Sequence, residues 1–421
     1  MRQLVQYSVS ANIQQRHCHD IKVLNYNQRL LNKLEFHKMN EYVTMVIGAD
    51  IAPTHDNYEL FINNDVDKLV GKKVLEILKS SDYRIFNLES PLTDRLTPIK
   101  KSGPNLYAKT ETVRGMKKLG IDLVTLANNH VRDQGEYGIK STICTLKNEK
   151  IDYIGVGSSI ENVIKSKIVE IKDIKIGVYA CAEHEYSIVE KNQSGANPFD
   201  YIDTFYDISM LKKVCDCVIV LFHGGTELYR YPTPLIQRIC RHMVDSGADI
   251  VLLQHTHCIG TYEEYKFGTI VYGQGNFIFN NSESEVTKTS LLVQLKISKS
   301  IGKKIVVNYI PLEKTMYGVK IAEGEKAKDI IDKFKDRSRD IVNQDILKRK
   351  FSEFSKVKMR ELMYILGGRF TNNRLFRLLD KCCGGRLLKM IYTEGYLLFI
   401  KDLFMCESYQ EMMSSNILDN E

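Results

Sequence analysis

One recurring event constrains this chain more than any other: a short apolar β-forming run stops at polar residues, and a helical pattern follows. Leu123–Gly135 (LVTLANNHVRDQG) is the clearest instance. Leu123, Val124 and Leu126 make the run, Asn128, Asn129 and His130 end it, and Asp133 and Gly135 lead into a helix. Amide and imidazole groups at a buried strand end are costly to desolvate unless something there uses them. In open α/β sheets, ligands bind at the carboxyl ends of the strands. The event repeats four times. Tyr42–Ile47 ends at Gly48-Ala49-Asp50, Asp82–Phe86 at Asn87-Leu88-Glu89, Val218–Phe222 at His223-Gly224-Gly225-Thr226-Glu227, and Asp249–Leu253 at Gln254-His255-Thr256-His257.

Helical spacing fills the intervals, over Val66–Leu78, Thr110–Leu119, Gly135–Glu149, Asp203–Lys213 and Pro234–Ser246. Gly120 and Gly247 stand where helices end. Near-continuous apolar strands alternating with helices predict an α/β protein with buried sheets. Some β-runs follow one another directly, as Lys175–Ala180 does Ile164–Val169, so a mixed sheet or two stacked sheets are expected.

The chain's 421 residues allow one large domain and something smaller. The spacing predicts a polar leader over 1–40, a main domain over 41–318 and a basic helical region over 319–421. A net charge of +7, from 59 Lys and Arg against 52 Asp and Glu, is too mild for a nucleic-acid binder. Ten cysteines without a CxxC motif read as reduced thiols in a reducing compartment. No apolar run nears the roughly 18 residues that span a bilayer. The expected location is therefore cytoplasmic, or peripheral to the inner face of the membrane. Leu387–Phe404 (LLKMIYTEGYLLFIKDLF) is amphipathic; it is expected to pack on the main domain, with docking to a partner or a membrane as the alternative.

The five strand ends offer Asp50, Glu89, Asn129 with His130, His223 with Glu227, and His255 with His257. Oxygen and imidazole donors in this mixture suit divalent Mn, Fe or Zn. On an extended segment His255 and His257, two apart, would project to one side. The carboxylate of Glu89 could bridge two ions, and Asn129 would be a neutral ligand. Two ions about 3.5–4 Å apart polarise a phosphoryl group and activate a water. His130 stands where it could protonate a leaving oxygen. Glu227 is expected to orient His223, and Asp133 to cap the helix that follows it.

Six motifs in order resemble the CapA family, the bacterial capsule and poly-gamma-glutamate synthesis proteins. They are Gly48-Ala49-Asp50, Asn87-Leu88-Glu89, Leu126–His130 with Asp133 and Gly135, His223-Gly224-Gly225 with Glu227, Gly247-Ala248-Asp249 leading to His255-Thr256-His257, and Tyr272–Phe277. That family looks like a branch of the calcineurin-like metallophosphoesterases. The resemblance implies a four-layer α/β/β/α metallophosphatase-like sandwich with metals at the edges of two central sheets. It implies Asp50 and His257 on one metal, Glu89 bridging, Asn129, His223 and His255 on the second, and His130 as proton donor. The implied activity is divalent-metal-dependent hydrolysis of a phosphoester or polymer-related substrate, with polymer-synthesis enzymes as partners through the C-terminal helices. The alternative is a non-catalytic metal-binding accessory of such a complex. Two positions depart from the pattern: Asp50-Ile51-Ala52 stands where phosphoesterases carry Asp-x-His, and Gln254 where they typically carry Gly.

Overall fold

The computed structural model describes residues 42–279, 284–298, 305–406, 408–410 and 412; the expected leader lies outside them. In order, the strands and helices are β1 (Tyr42–Ala52), α1 (Tyr58–Ile62), α2 (Val66–Ser80), β2 (Tyr83–Leu88), α3 (Val113–Lys118), β3 (Leu123–Thr125), α4 (Gly135–Asn148), β4 (Asp152–Ile154) and β5 (Val156–Gly157). There follow β6 (Ser166–Ile171), β7 (Ile174–Ala182), β8 (Gly195–Ala196), α5 (Asp203–Val214), β9 (Cys217–His223), α6 (Pro234–Asp245), β10 (Ile250–Gln254), β11 (Tyr262–Tyr265), β12 (Gly268–Val271) and β13 (Asn276–Phe279). Then come β14 (Thr289–Ser298), β15 (Ile305–Lys314), β16 (Val319–Ile321), α7 (Gly324–Asp340), α8 (Gln344–Leu366), α9 (Gly368–Thr371), α10 (Arg374–Cys382), α11 (Arg386–Ile391) and α12 (Glu394–Met405). Two compact units result, Met1–Leu347 and Lys348–Glu421.

Two sheets build the first unit. An eight-stranded sheet runs β16-β15-β14-β1-β2-β3-β4, with β13 also on β1; a six-stranded sheet runs β11-β12-β10-β9-β7-β6. Strand β1 pairs antiparallel with β14 over Tyr42–Ile47, then parallel with β13 over Asp50–Ala52. The register shifts at Asp50 on both flanks, so the strand is irregular where its first candidate ligand sits. In the second sheet β7, β9, β10 and β12 are parallel and both edges antiparallel.

Side-chain alternation sets the layers. Along β7, β9 and β10, Ile176, Val178, Cys217, Ile219, Leu221, Ile250 and Leu252 join a core shared with the first sheet. Their neighbours Tyr179, Cys181, Val218, Val220, Phe222, Val251 and Leu253 pack instead with Ile208 and Leu211 of α5 and Ile239, Cys240 and Met243 of α6. This is the period-two pattern of a sheet buried on both faces. Helices α1 to α4 cover the first sheet through Phe61, Leu69, Val74, Met116, Ile139 and Leu146. The architecture is an α/β/β/α sandwich, as expected. Full burial of each such side chain is worth about 1.5–3 kcal/mol of transfer free energy. Helix α6 starts where the sequence says it should: Thr233 accepts from the Ile236 N–H, and Pro234 takes the first helical position.

Two expectations needed correction. The single strand foreseen near Tyr153–Gly157 breaks at Gly155 (φ +82°): β4 stays in the large sheet, and β5 pairs with β8. The helix foreseen at Thr110 opens as a 3-10 turn before α3. The two compact units divide after Leu347, so α7 belongs to the first of them. Strand β16 completes the large sheet, and α7, whose exposed face mixes lysines with acidic residues, buries Ile330 and Phe334 in the main core. Arg337 of α7 also donates to the Ile259 and Gly260 carbonyls.

The second unit has a small core of Tyr364, Leu388, Tyr392 and Ile400. Asp380 is fully buried within it, accepting from the Tyr364 hydroxyl (2.5 Å), Arg360 (3.0 Å) and the Leu388 N–H (3.0 Å).

Candidate metal centre

Parallel strands from both sheets deliver their carboxyl ends to one place. Asp50 lies near the end of β1, Glu89 one residue beyond β2, Asn129 and His130 in the loop after β3, His223 at the end of β9, and His255 and His257 just past β10. Close approach at β1 depends on Gly48, where a Cβ would fall 2.0 Å from the Phe86 ring. All seven side chains are buried. Glu89, His223 and His255 each bring one donor atom within 4.8 Å of the others, and so do Asp50, Glu89 and His257. The two triads share Glu89. Its Oε1 lies 3.9 Å from His223 Nε2 and 3.8 Å from His257 Nε2.

Asparagines hold the frame. Asn87 donates to Asp50 Oδ1 (2.9 Å); Asn128 donates to Asn87 Oδ1 (2.9 Å) and to the Leu88 carbonyl (2.8 Å). The Asn128 side-chain oxygen accepts the His130 N–H (3.1 Å). Asn129 Oδ1 faces His223 Nε2 at 3.0 Å. His257 Nδ1 lies 2.8 Å from Asn276 Oδ1; donating there, the neutral ring turns the lone pair of Nε2 toward Glu89.

The centre is starved of hydrogen-bond donors. Both Glu89 oxygens, Asp50 Oδ2 and His255 Nδ1 are buried without a hydrogen-bond partner. Unpaired buried acceptors are expensive, and here an acceptor faces an acceptor. Burial, then the neighbouring Asp50 carboxylate, raises the Glu89 pKa well above the carboxylate range. Burial, reinforced by the other imidazoles, holds His223 far below its ordinary value and His255 down to about 4. For His257 burial acts downward, but Asp50 and Asn276 outweigh it and its pKa rises. Divalent cations would answer this pattern of orphaned carboxylate oxygens and neutral imidazole lone pairs, so the residues present fit a metal.

His130 faces the same centre. Its Nδ1 lies 2.6 Å from Asp133 Oδ2. Asp133, fully buried, also accepts the Leu106 N–H (2.6 Å) and is paired with Lys101. The expectation that Asp133 caps α4 is therefore corrected: Gln134 takes the cap position, and the Asp133 carboxylate orients His130.

Two further expectations change. His255 and His257 are not on an extended segment, because β10 stops at Gln254 and both have positive φ (+89° and +53°). A left-handed turn, costly for a residue with a Cβ, brings the His255 ring to 4.9 Å from that of His223 and 6.1 Å from that of His257. Glu227 is exposed and does not orient His223, whose ring nitrogens face Asn129 and Asn87. At the Asp-x-His departure, Ala52 is buried opposite Phe279 in the ladder, and the Phe279 ring stands edge-on to His257 at 5.3 Å.

Glu185 escaped the sequence reading. Its Oε2 accepts from Asn129 Nδ2 (3.2 Å), and its Oε1 lies 3.6 Å from His255 Nε2. The signal was present, since Glu183-His184-Glu185-Tyr186 follows β7, another parallel strand running to the same edge. Lys101 sits on a loop whose side chains carry no periodicity, so nothing in the sequence marked it.

The fold and this cluster define an α/β sandwich in which two sheets present one buried site rich in carboxylate, amide and imidazole donors. A sequence model of the family described as "Bacterial capsule synthesis protein PGA_cap" matches residues 44–281, over half the chain, and the chain belongs to that family. It is 32% identical over 268 residues to "Capsule biosynthesis protein CapA" of Bacillus anthracis, a match covering 61% of this chain and 64% of that protein. It is 28% identical over 282 residues to "PGA biosynthesis protein CapA" of Bacillus subtilis (strain 168), covering 64% and 72%. The first match thus spans less than two thirds of its relative. Solved structures superpose loosely. A putative 5'-nucleotidase from Staphylococcus aureus gives a TM-score of 0.42 at 15% identity, covering 70% of this chain and 58% of that one. A phosphatase from Mycoplasma pneumoniae gives 0.39 at 15% identity, covering 64% and 94%.

Proposed function

We propose that this chain is a divalent-metal-dependent hydrolase of phosphoester type that serves synthesis of a capsule or poly-gamma-glutamate polymer. One observation carries the reading: two donor triads meet at a Glu89 whose oxygens have no hydrogen-bond partner. Asp50, Glu89 and His257 would hold one ion; Glu89, Asn129, His223 and His255 would hold the other. Bound there, such ions supply Lewis acidity toward a phosphoryl oxygen and lower the pKa of an attacking water. The chain's own groups do the rest. Asn87 and Asn128 fix Asp50 and the β2 end, and Asn276 sets the ring of His257. Asp133 holds Nδ1 of His130, which leaves Nε2 to carry a proton to the leaving oxygen.

The experiment is metal analysis of the purified protein with hydrolysis of bis(p-nitrophenyl) phosphate. Wild type should contain a divalent metal and turn the ester over, and His255→Ala should lose both. A loaded protein inert toward phosphoesters would sink the reading.

A second reading, a metal-binding accessory without catalysis, is favoured by the buried Ala52 and by Phe279 beside His257. Polymer formation in cells separates the two: His130→Asn should abolish it if catalysis is needed and leave it intact if only binding is.

A further inference from the structure

Helix α10 is inside out. Asp380, its one acidic residue, is fully buried, whereas Leu375 is 66% and Leu378 60% exposed. Leu375, Leu378 and Leu379 follow the i, i+3, i+4 spacing of a single helix face, and that face is turned away from Asp380, which with Phe376 enters the unit's small core. The row is therefore not needed by the core of its own unit. Phe370, just before the helix, and Met390 in α11 are exposed as well.

Charge says what kind of surface would cover such a row. Lys348–Met405 contains thirteen Lys and Arg against five Asp and Glu, a surplus slightly larger than the +7 of the entire chain. Arg374 and Lys381, both exposed, border the leucines at helical spacing, and Lys389 of the next helix is exposed too. A second copy of this face would set like charges against each other, which is unfavourable. A surface of anionic lipid headgroups would be attracted, each nearby Lys or Arg adding to binding while apolar side chains enter the headgroup boundary. No helix among the described residues is long and apolar enough to cross a bilayer, so the unit would lie on it.

We propose that the Lys348–Met405 unit docks on anionic lipid surfaces through the Leu375–Leu378–Leu379 row and its flanking cations. The inference stands independently of the hydrolase reading, because it uses none of the residues at the metal centre.

The test is co-sedimentation of the full-length protein with phosphatidylcholine vesicles carrying about one-third phosphatidylglycerol. The protein should partition onto them, at least about tenfold less onto pure phosphatidylcholine, and much less in about 1 M salt, where the screening length is near 3 Å. The variant Leu375→Ser/Leu378→Ser/Leu379→Ser should lose at least about tenfold in partition, at unchanged helical content by circular dichroism. Arg374→Gln/Lys381→Gln/Lys389→Gln should show a similar loss; its positions lie outside the core, so it carries the test if the leucine variant misfolds. Equal partition of all three proteins would overturn the proposal. So would absence of partition at low salt, or a dimer that the leucine variant alone dissolves.

Discussion

The two donor triads of the candidate metal centre share Glu89 but are built differently. The half on His223 and His255 draws on both sheets and has Asn129 and Glu185 alongside. The half on Asp50 and His257 has Asn276 behind its imidazole, and the apolar pair Ala52 and Phe279 where the Asp-x-His pattern would put a further ligand. Their protonation also differs. His223 and His255 are held neutral by burial, whereas Glu89 and His257 have raised pKa values. Either half must displace the Glu89 proton, and the Asp50–His257 half must displace the His257 proton as well. Stepwise loading is expected, the His223–His255 half filling first.

The comparison breaks most decisively at the shared residue. Glu89→Gln should abolish loading of both halves and lower phosphodiesterase activity at least about a thousandfold. It should also stabilise the metal-free protein, by about 1–3 kcal/mol, because a buried carboxylate facing Asp50 is removed. Metal titration and thermal unfolding of the variant check both. A variant that still binds one ion would mean the halves are independent.

His130→Asn comes next. Turnover should drop about 10²–10⁴-fold with metal content unchanged, since His130 is held by Asp133 and Lys101 outside either triad. Loss of metal along with activity would reassign His130 to the ligand set.

A smaller effect is expected at Glu185→Ala. Without the carboxylate that accepts from Asn129, its amide is free to turn, and affinity at the His223–His255 half should fall about 10–100-fold. Isothermal titration would register this as a change in the first binding step alone.

The smallest effect is in protons. Glu89 and His257 hold protons to higher pH in the fold than in the open chain, so loading near pH 7 should release protons, that of His257 with the second ion, and should tighten as pH rises. Titration in two buffers of different ionisation enthalpy measures the count. The imidazoles of the other half act on stability with the opposite sense. With His255 at about 4 in the fold against about 6.5 unfolded, the unfolded chain takes up a proton that the fold refuses. The metal-free protein should lose stability as pH falls from about 6.5 towards 4. A flat unfolding midpoint across that window would remove His255 from the account.

Much of this was written in the sequence, because burying a strand is a local matter of apolar runs. An Asn-His or His-x-His step after such a run is conspicuous, and Asp50, Glu89, Asn129, His130, His223, His255 and His257 do converge. What stayed hidden depends on backbone conformation or on distant pairing. No glycine announces the left-handed turn at His255 and His257. Strand β13 is four residues long and becomes a strand only against the upper part of β1. Helix α7 reads as part of a basic tail because the two residues that fix its place, Ile330 and Phe334, are outnumbered by lysines.

The placement of the donors at two sheet edges has a mechanical consequence. Asp50 and Glu89 belong to one sheet, His223 and His255 to the other, and the cores beneath them hold by non-directional apolar contact. An ion shared across that seam would act as a rivet, resisting the sideways slip that hydrophobic packing permits. At a free concentration one hundred times its Kd it would add about 2.7 kcal/mol. Hydrogen exchange should register that gain along β2 and β9 together, while the Lys348–Met405 helices, which carry none of the donors, keep their own rate.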